Sequence, residues 1–164
     1  SLQQLLDAKE ARVLRQQRMM QQQGGTLISF TLNIPGPVKV LTDVPEAFAS
    51  GCQRIETLLK DRLVLIQHME TIKEKTGYEA FYSVDANPDF IKELMVSLED
   101  QDRLGRLFDI DVLRPDGSKV SREDMGSAPR TCLLCGQPAH VCSRSRRHSV
   151  AELTAEIGKI LSGL

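Results

Sequence analysis

The stretch Gly105-Arg106-Leu107-Phe108-Asp109-Ile110-Asp111-Val112-Leu113 sets two acids inside an apolar run. Side chains two residues apart in a β-strand point to the same face of the sheet. A strand here projects Asp109 and Asp111 together and turns Phe108, Ile110 and Val112 to the opposite face. Buried carboxylates cost free energy unless something neutralises them, and a divalent cation on a phosphate substrate can do so. An edge strand whose acids point to water explains the pattern equally well.

The composition is that of one ordinary globular domain. The chain has 164 residues, 41% of them hydrophobic and 26% charged, with a net charge of −1. No apolar segment is long enough to span a bilayer, and no export signal is visible. Three of the four cysteines are clustered, which favours a cytoplasmic protein with thiols or a metal site over a disulfide scaffold. We predict one domain over 1–164, comprising an N-terminal helix (1–23), an α+β core (26–121) and a Cys/Arg/His segment with a final helix (122–164).

Basic residues concentrate near the acidic stretch. Those between positions 103 and 147 are Arg103, Arg106, Arg114, Lys119, Arg122, Arg130, Arg144, Arg146 and Arg147. A local basic surface beside two acids suits a polyanionic small molecule with a metal ion. Nucleic acid is not expected as a partner, because the overall charge is near zero and tryptophan is absent.

The order of predicted elements indicates an α+β fold. An amphipathic helix over 2–23 carries its apolar residues on one stripe (Leu2, Leu5, Leu6, Val13 and Met20) and is expected to pack on the surface. Strands follow at 26–33, 63–72, 78–84 and 106–113, with helices beginning after Asp43 and after Asn87, and a short return strand at 119–121. This order, β-α-β-β-α-β, fits a ferredoxin-like split β-α-β antiparallel sheet. A Cys-rich loop and a helix capped by Ser149 and Glu152 complete the chain.

A Pro/Gly turn follows the first strand. Pro35-Gly36-Pro37-Val38-Lys39 cannot continue a sheet, and it presents main chain and a lysine at the end of the strand. Sites are often built at such strand ends.

The cysteine cluster has the spacing C-x2-C-x6-C-x5-H, formed by Cys132, Cys135, Cys142 and His148. Three thiolates and an imidazole make a tetrahedral zinc shell, and His140 is a rival fourth ligand. Reduced thiols packed in a loop, or a wall of a substrate pocket, remain alternatives.

The run Arg144-Ser145-Arg146-Arg147-His148 immediately precedes the start of the last helix. Main-chain N–H groups at a helix start favour anions, and arginines add bidentate phosphate contacts. A solvated basic face is the alternative. The sequence has no P-loop, no dinucleotide-binding glycine motif and no serine nucleophile elbow. Of the reaction classes considered, metal-assisted phosphoryl or nucleotidyl transfer remains.

Together these motifs resemble a known family. The stretch 105–113, Ser121-Arg122, the segment 130–135 and the Cys142, Arg144 and His148 positions are similar to the citrate lyase holo-acyl-carrier-protein synthases. These are the apo-citrate lyase phosphoribosyl-dephospho-CoA transferases. The Pro35–Lys39 turn and the N-terminal helix match too, so the resemblance covers nearly the whole chain.

The resemblance implies an activity. Such enzymes take 2′-(5″-triphosphoribosyl)-3′-dephospho-CoA, attach its phosphoribosyl-dephospho-CoA part to a serine of the citrate lyase acyl carrier protein (the gamma subunit), and release diphosphate. Asp109 and Asp111 are then expected to bind Mg²⁺, with Arg106 as a third catalytic candidate. The group that takes the serine proton is left open. The candidates for substrate and phosphate binding are Gly36, Lys39, Arg122, Arg130, Arg144, Arg146 and His148.

Two other functions are compatible with the residues. A zinc-stabilised protein- or RNA-binding module would use the cysteine cluster but leave the acid pair without a role. A Mg²⁺-dependent pyrophosphokinase or nucleotidyltransferase acting on a small molecule would use the acids without any carrier protein. The Asp strand also resembles that of the ferredoxin-like pterin pyrophosphokinases.

Overall fold

The computed structural model describes residues 1–163 and contains one four-stranded sheet. Its elements are α1 (Leu2–Gln23), β1 (Thr26–Leu32), α2 (Val44–Asp61), β2 (Leu65–Glu74), β3 (Gly77–Asp85), α3 (Pro88–Glu99), β4 (Phe108–Leu113), α4 (Ala139–Ser145) and α5 (Val150–Ser162), with 3₁₀ turns at Gly105–Leu107 and Glu123–Met125. The strands lie in the order β2-β3-β1-β4, and all neighbours are antiparallel. The predicted ferredoxin-like α+β fold is confirmed.

One face of the sheet forms the main core. Phe30 of β1 lies opposite Ile110 of β4 and Ala80 of β3, so the three strands present apolar side chains to the same side. Phe30 stacks on Phe48 of α2 at 5.3 Å between ring centroids, and Phe108 meets it edge-on at 5.2 Å. Helices α2, α3 and α5 all bury apolar residues in this core. Burial of this kind is the main stabilising contribution to the fold.

Helix α1 lies on the opposite face of the sheet. Its buried residue is Met19, which packs with Leu27, Phe81 and Leu113. The predicted apolar stripe is wrong, since Leu2 is 72% and Val13 50% exposed while neighbouring Met19 is buried. The physical reason is that this face of the sheet also carries polar groups, so α1 is tied down partly by polar contacts. One of these is the bond from Gln16 Nε2 to Ser29 Oγ at 3.0 Å.

The outer edge of β4 is closed by side chains. Glu99 Oε2 accepts a hydrogen bond from the Ile110 N–H at 3.1 Å, and Lys92 Nζ donates to the Ile110 carbonyl oxygen at 3.2 Å. Arg130 Nη1 donates to the Phe108 carbonyl oxygen at 2.8 Å. An exposed edge strand would otherwise offer these groups to another chain. The side chains therefore fix the strand that carries both acids.

Several local predictions are corrected. Strand β2 begins at Leu65 instead of Leu63, because Leu63 takes a left-handed backbone (φ 58°) and is 94% exposed. Asp43 precedes α2 as predicted but is also left-handed (φ 69°), and its side chain caps no N–H group. The return strand at 119–121 reduces to one bridge between Leu113 and Lys119.

The C-terminal region contains a helix, α4, that the sequence pattern does not predict. The capping box of α5 is confirmed, since Ser149 Oγ accepts from the Glu152 N–H at 3.0 Å and Glu152 Oε1 accepts from the Ser149 N–H at 3.2 Å. Within residues 1–163, no helix has the length and apolar character needed to cross a membrane.

Candidate functional site

Both acids of β4 point to the α1 side of the sheet, as their spacing predicts. In the register with β1, Asp109 lies opposite Thr31 and Asp111 lies opposite Ser29. Asp111 is half-buried, and Lys119 Nζ lies 3.3 Å from its Oδ2 atom. The carboxylates therefore face the space between the sheet and α1, away from the main core.

A pocket of about 300 Å³ opens beside Asp109, between α1 and the C-terminal end of β1. Its wall includes Asp109 and three cationic side chains from two other segments: Lys9 and Arg12 of α1, and Lys39 of the loop after β1. The tertiary structure thus places one carboxylate and three cations around one small cavity. We call this the acid pocket.

The environment of Asp109 disfavours its negative charge. Desolvation by the pocket walls raises the pKa of this carboxyl above its ordinary value, and the nearby Asp111 and Glu99 raise it further. By its accessible surface, however, Asp109 is an exposed residue. A carboxylate held in this way gains from a cation placed beside it.

Lys39 is positioned by the Pro/Gly turn. Its Nζ donates to the carbonyl oxygen of Ile34 at 2.6 Å. Burial, and then the charges of Lys9 and Arg12, lower the pKa of Lys39 below its ordinary value. Gly36, at φ +79°, packs so closely on α5 that a Cβ would lie 2.9 Å from Val150 Cγ1. The turn therefore requires glycine here, and the part of Gly36 in phosphate binding stays a prediction.

Helix α1 contributes more to the site than the sequence predicted. Arg12 Nε donates to Glu79 Oε2 at 2.8 Å, which fixes Arg12 at the pocket wall. The sequence pattern does not single out Lys9, because its position on α1 is informative only once the helix is known to lie over β1 and β3. Arg15 and Arg18 serve other contacts, over the Phe81 ring and with Glu70 respectively.

The Cys/His cluster assembles as the spacing predicts. The Sγ atoms of Cys132, Cys135 and Cys142 and a ring nitrogen of His148 all lie within 4.8 Å of one another. Cys135 and Cys142 have their Sγ atoms 3.5 Å apart. His140, the rival ligand, is exposed and lies outside this group. The fold selects His148, as the family resemblance favoured.

Main-chain contacts shape the loop that carries the first two cysteines. The Cys132 N–H donates to the Gln137 carbonyl oxygen at 2.7 Å, and the Ala139 N–H donates to the Arg130 carbonyl oxygen at 2.8 Å. Arg106 Nη2 reaches the Thr131 carbonyl oxygen at 2.8 Å. The third cysteine lies on α4, and His148 immediately precedes the cap of α5. The loop and both helix segments must therefore meet for the cluster to form.

The electrostatics of the cluster fit a bound cation. The adjacent His148 lowers the pKa of Cys135 to about 6, whereas burial and the neighbouring thiols raise the pKa of Cys142 to about 11. Nε2 of His148 is buried and has no hydrogen-bond partner within residues 1–163. A tetrahedral Zn²⁺ with bonds of about 2.3 Å sets its sulfur ligands about 3.8 Å apart. The residues therefore fit a metal ion.

A second pocket, of about 800 Å³, lies between this cluster and the end of β1. Three arginines (Arg106, Arg130 and Arg146) line it together with His140 and His148. We call it the arginine pocket. Asn33, just after β1, lines both this cavity and the acid pocket. The two pockets therefore share a wall residue at the C-terminal end of β1.

The remaining predicted site residues do not lie together around Asp109. Arg122 is 12% exposed, and its Nη2 atom lies 2.9 Å from Glu99 Oε1 and 3.1 Å from Asp100 Oδ1. Arg144 lies exposed in the last turn of α4. Only Lys39 joins Asp109 in the acid pocket, whereas Arg106, Arg130, Arg146 and His148 line the arginine pocket. Their roles in substrate binding stay predictions.

The sheet, the paired acids and the cation-lined pockets define an α+β protein whose site is suited to a polyanion. A family model described as apo-citrate lyase phosphoribosyl-dephospho-CoA transferase matches residues 1–163. The chain belongs to this family, which confirms the resemblance found in the sequence and the expected transferase class.

Curated relatives agree with the family match. A Streptococcus pyogenes serotype M18 protein is 38% identical over 163 residues, which cover 96% of this chain and 83% of the relative. A Vibrio cholerae serotype O1 protein is 39% identical over 158 residues, covering 96% and 89% respectively. Each is named a probable apo-citrate lyase phosphoribosyl-dephospho-CoA transferase. A Haemophilus influenzae protein named CitXG is 35% identical over 158 residues, which are 96% of this chain and 34% of that protein.

Proposed function

We propose that this chain transfers the phosphoribosyl-dephospho-CoA group to a serine of the citrate lyase acyl carrier protein. The donor is 2′-(5″-triphosphoribosyl)-3′-dephospho-CoA, and diphosphate leaves. One observation carries the assignment of the reacting centre within this family fold. Asp109 shares a pocket with Lys9, Arg12 and Lys39, so an acid that suits a cation stands beside cations that suit a polyphosphate.

Asp109 and Asp111 are the proposed ligands for Mg²⁺, since carboxylate oxygens and polyphosphates are its usual partners. When bound, Mg²⁺ neutralises phosphate charge and holds the polyphosphate in line for displacement. Both acids project from one strand face, and burial, followed by the charges of Asp111 and Glu99, raises the pKa of Asp109, so its charged form is disfavoured. Cation binding relieves that cost, which supports the assignment.

The cationic side chains are proposed to take the charge of the leaving group. In the transfer, the serine oxygen forms a bond to the α-phosphorus, and the bond from that phosphorus to the bridging oxygen of the diphosphate breaks. The diphosphate keeps the electron pair, and the serine proton passes to a base. Lys39, Lys9 and Arg12 surround the cavity where this charge develops, and fixed charges are effective catalysts in such positions.

The Cys/His cluster is proposed to bind Zn²⁺ in a structural role. All four positions of a tetrahedral shell are filled by protein, which is typical of closed structural sites. The ion would join the loop at Cys132 to α4 and the start of α5. The cluster alone would also suit a zinc-stabilised binding module, but that function gives the acid pocket no role.

The decisive experiment is mass spectrometry of the apo-carrier protein after incubation with enzyme, donor and Mg²⁺. We expect a mass gain equal to the phosphoribosyl-dephospho-CoA group, together with diphosphate release that requires the carrier. Diphosphate release with formation of a small-molecule nucleotidyl product in the absence of carrier would instead assign a small-molecule nucleotidyltransferase. No reaction and no carrier modification would overturn the proposal.

The cytoplasmic location expected from the sequence stays a prediction.

A further inference from the structure

We propose that the arginine pocket binds the dephospho-CoA portion of the donor, while its triphosphate end enters the acid pocket. This inference rests on the proposed function and adds a second subsite to it. Dephospho-CoA is an adenosine diphosphate joined to a pantetheine arm. It therefore presents two negative phosphates between less polar ends.

The position of the arginine pocket suits a long donor. Asn33 lines both cavities, so they lie side by side at the end of β1, and a long donor bound in both would pass this residue. The main chain is fixed there, since the Asn33 N–H donates to the Leu107 carbonyl oxygen at 2.8 Å. The acid pocket, at about 300 Å³, is at the small end of ligand sites, whereas about 800 Å³ is ample for a cofactor-sized group.

The charge of the arginine pocket suits a diphosphate. Its wall carries three arginines and two histidines, and none of its lining residues within the described chain is an aspartate or glutamate. Arg106 and Arg130 already donate to main-chain carbonyl oxygens, which holds their guanidinium groups in place. Preorganised arginines bind phosphates by paired, charge-assisted hydrogen bonds.

Arg146 is the arginine most available to a ligand. It caps the C-terminal end of α4 in a left-handed conformation (φ 50°) and is exposed at the pocket wall. Its guanidinium has no protein partner within residues 1–163, in contrast to those of Arg106 and Arg130. The next residue, Arg147, is equally exposed but does not line this cavity. The two adjacent arginines therefore form a matched pair for a test.

The rest of the wall suits the apolar part of the ligand. Side chains of Leu107, Leu133, Leu153 and Ile157 line the same cavity. Leu107 and Ile157 belong to the main core, so this wall is rigid. A pantetheine arm or an adenine ring can pack on such a surface while the phosphates meet the arginines, an arrangement common in cofactor sites.

The test is calorimetric titration of dephospho-CoA, which lacks the triphosphoribosyl group, into the full-length protein with its metal retained. We expect wild type to bind and Arg146→Gln to bind about tenfold or more weakly, because one charge-assisted contact is lost. Arg147→Gln should stay within about twofold of wild type. His140→Ala is a second lining variant at an exposed position, and it should also weaken binding. In the transfer assay, Arg146→Gln should raise KM with kcat largely kept.

The outcomes separate this subsite from the overall function. If wild type modifies the carrier but dephospho-CoA binds Arg146→Gln and Arg147→Gln equally, or does not bind wild type, the subsite assignment is wrong and the function stands. If dephospho-CoA binds with the expected dependence on Arg146 but the carrier is never modified, the proposed function is wrong and the subsite stands. Asp109→Asn should bind dephospho-CoA with the affinity of wild type. A large loss of affinity in this variant would also overturn the division into two subsites.

Discussion

Asp109 on β4 and Lys39 in the loop after β1 line the same pocket, although neither is near the other in sequence. The register of β4 on β1 turns Asp109 to the α1 side, and the Pro/Gly turn brings Lys39 back to that side. The two residues have opposite charges. The pKa of Asp109 is raised and the pKa of Lys39 is lowered, so both shifts disfavour the charged form. Burial disfavours the charged form of each side chain, as expected of a site that takes a charged ligand and its cation.

Asp109→Asn should reduce transfer to the carrier protein by about 100-fold or more, because a cation ligand at the reacting centre is lost. The measurement is carrier modification by mass spectrometry at saturating Mg²⁺. Asp116→Asn is the control, since Asp116 lies in an exposed turn and bonds to Ser118. Near-normal transfer by Asp109→Asn would contradict the role in cation binding.

The same variant should be more stable than wild type in metal-free solution near neutral pH. Because the pKa of Asp109 is raised in the folded state, its charged form opposes folding above that pKa, and the penalty disappears as the pH falls below the ordinary value of the unfolded chain. Thermal unfolding with chelator, followed from pH 8 to pH 4, measures the difference in Tm.

Asp116→Asn should behave in the opposite way, because hydrogen bonds from Ser118 lower the pKa of Asp116. Its carboxylate favours folding at neutral pH and loses that effect as the pH falls.

A Tm for Asp109→Asn that is below wild type at neutral pH, or a difference that does not shrink in acid, would show that Asp109 is already compensated by the protein.

Lys39 should set an alkaline limb in the pH profile of kcat/KM. Its pKa is lowered by burial, Lys9 and Arg12, so the free enzyme loses this charge at a lower pH than an ordinary lysine does. The rate should therefore fall as the pH rises through that lowered value. Lys39→Arg, which stays protonated, should shift the limb to higher pH, and Lys39→Met should lower kcat/KM about 10- to 100-fold at neutral pH. An unchanged limb in Lys39→Arg would assign it to another group.

Metal removal should destabilise the C-terminal region. We expect about one zinc per chain by elemental analysis. When the free zinc concentration of the untreated sample is well above the Kd, chelation should lower the Tm by roughly 10 °C. Cys142→Ser should abolish the response to chelator, because it removes one of the four ligands. Cys52→Ser is the control, since that thiol lies on α2 outside the cluster. Protein without metal and with the Tm of the untreated sample would show that the cluster is a group of reduced thiols.

Arg122→Gln should lower stability more than it lowers transfer. Arg122 pairs with Glu99, which is buried and also accepts from the Ile110 N–H, so its loss leaves this carboxylate with the more distant Arg130, at 3.5 Å, as its cationic partner among the described residues. We expect a loss of about 2 to 4 kcal/mol in the free energy of unfolding by urea titration. Arg103→Gln, which breaks an exposed pair with Glu156, should change it by about 1 kcal/mol or less. A normal stability with a large rise in KM would instead place Arg122 in the substrate site, as the family resemblance suggested.

The sequence predicted the strand that carries the acids because alternation in a β-strand has a fixed period of two. It predicted the Cys/His cluster because metal ligands have characteristic spacings. It missed α4, which is one short helix without a long apolar pattern. It also assigned the wrong stripe to α1, because that helix packs on a partly polar sheet face for which simple amphipathicity is a poor guide.

By itself, the sequence determined the α+β class, the shared direction of Asp109 and Asp111, and the family to which the chain belongs. These follow from local periodicity and from short motifs that need no knowledge of distant contacts. The tertiary structure alone decided which cations line the pocket of Asp109, that Arg122 pairs with Glu99 beside β4, and that Asn33 lines both pockets. The physical reason is that these relations depend on strand register and on how α1, the Pro/Gly turn and the cysteine loop pack around the sheet.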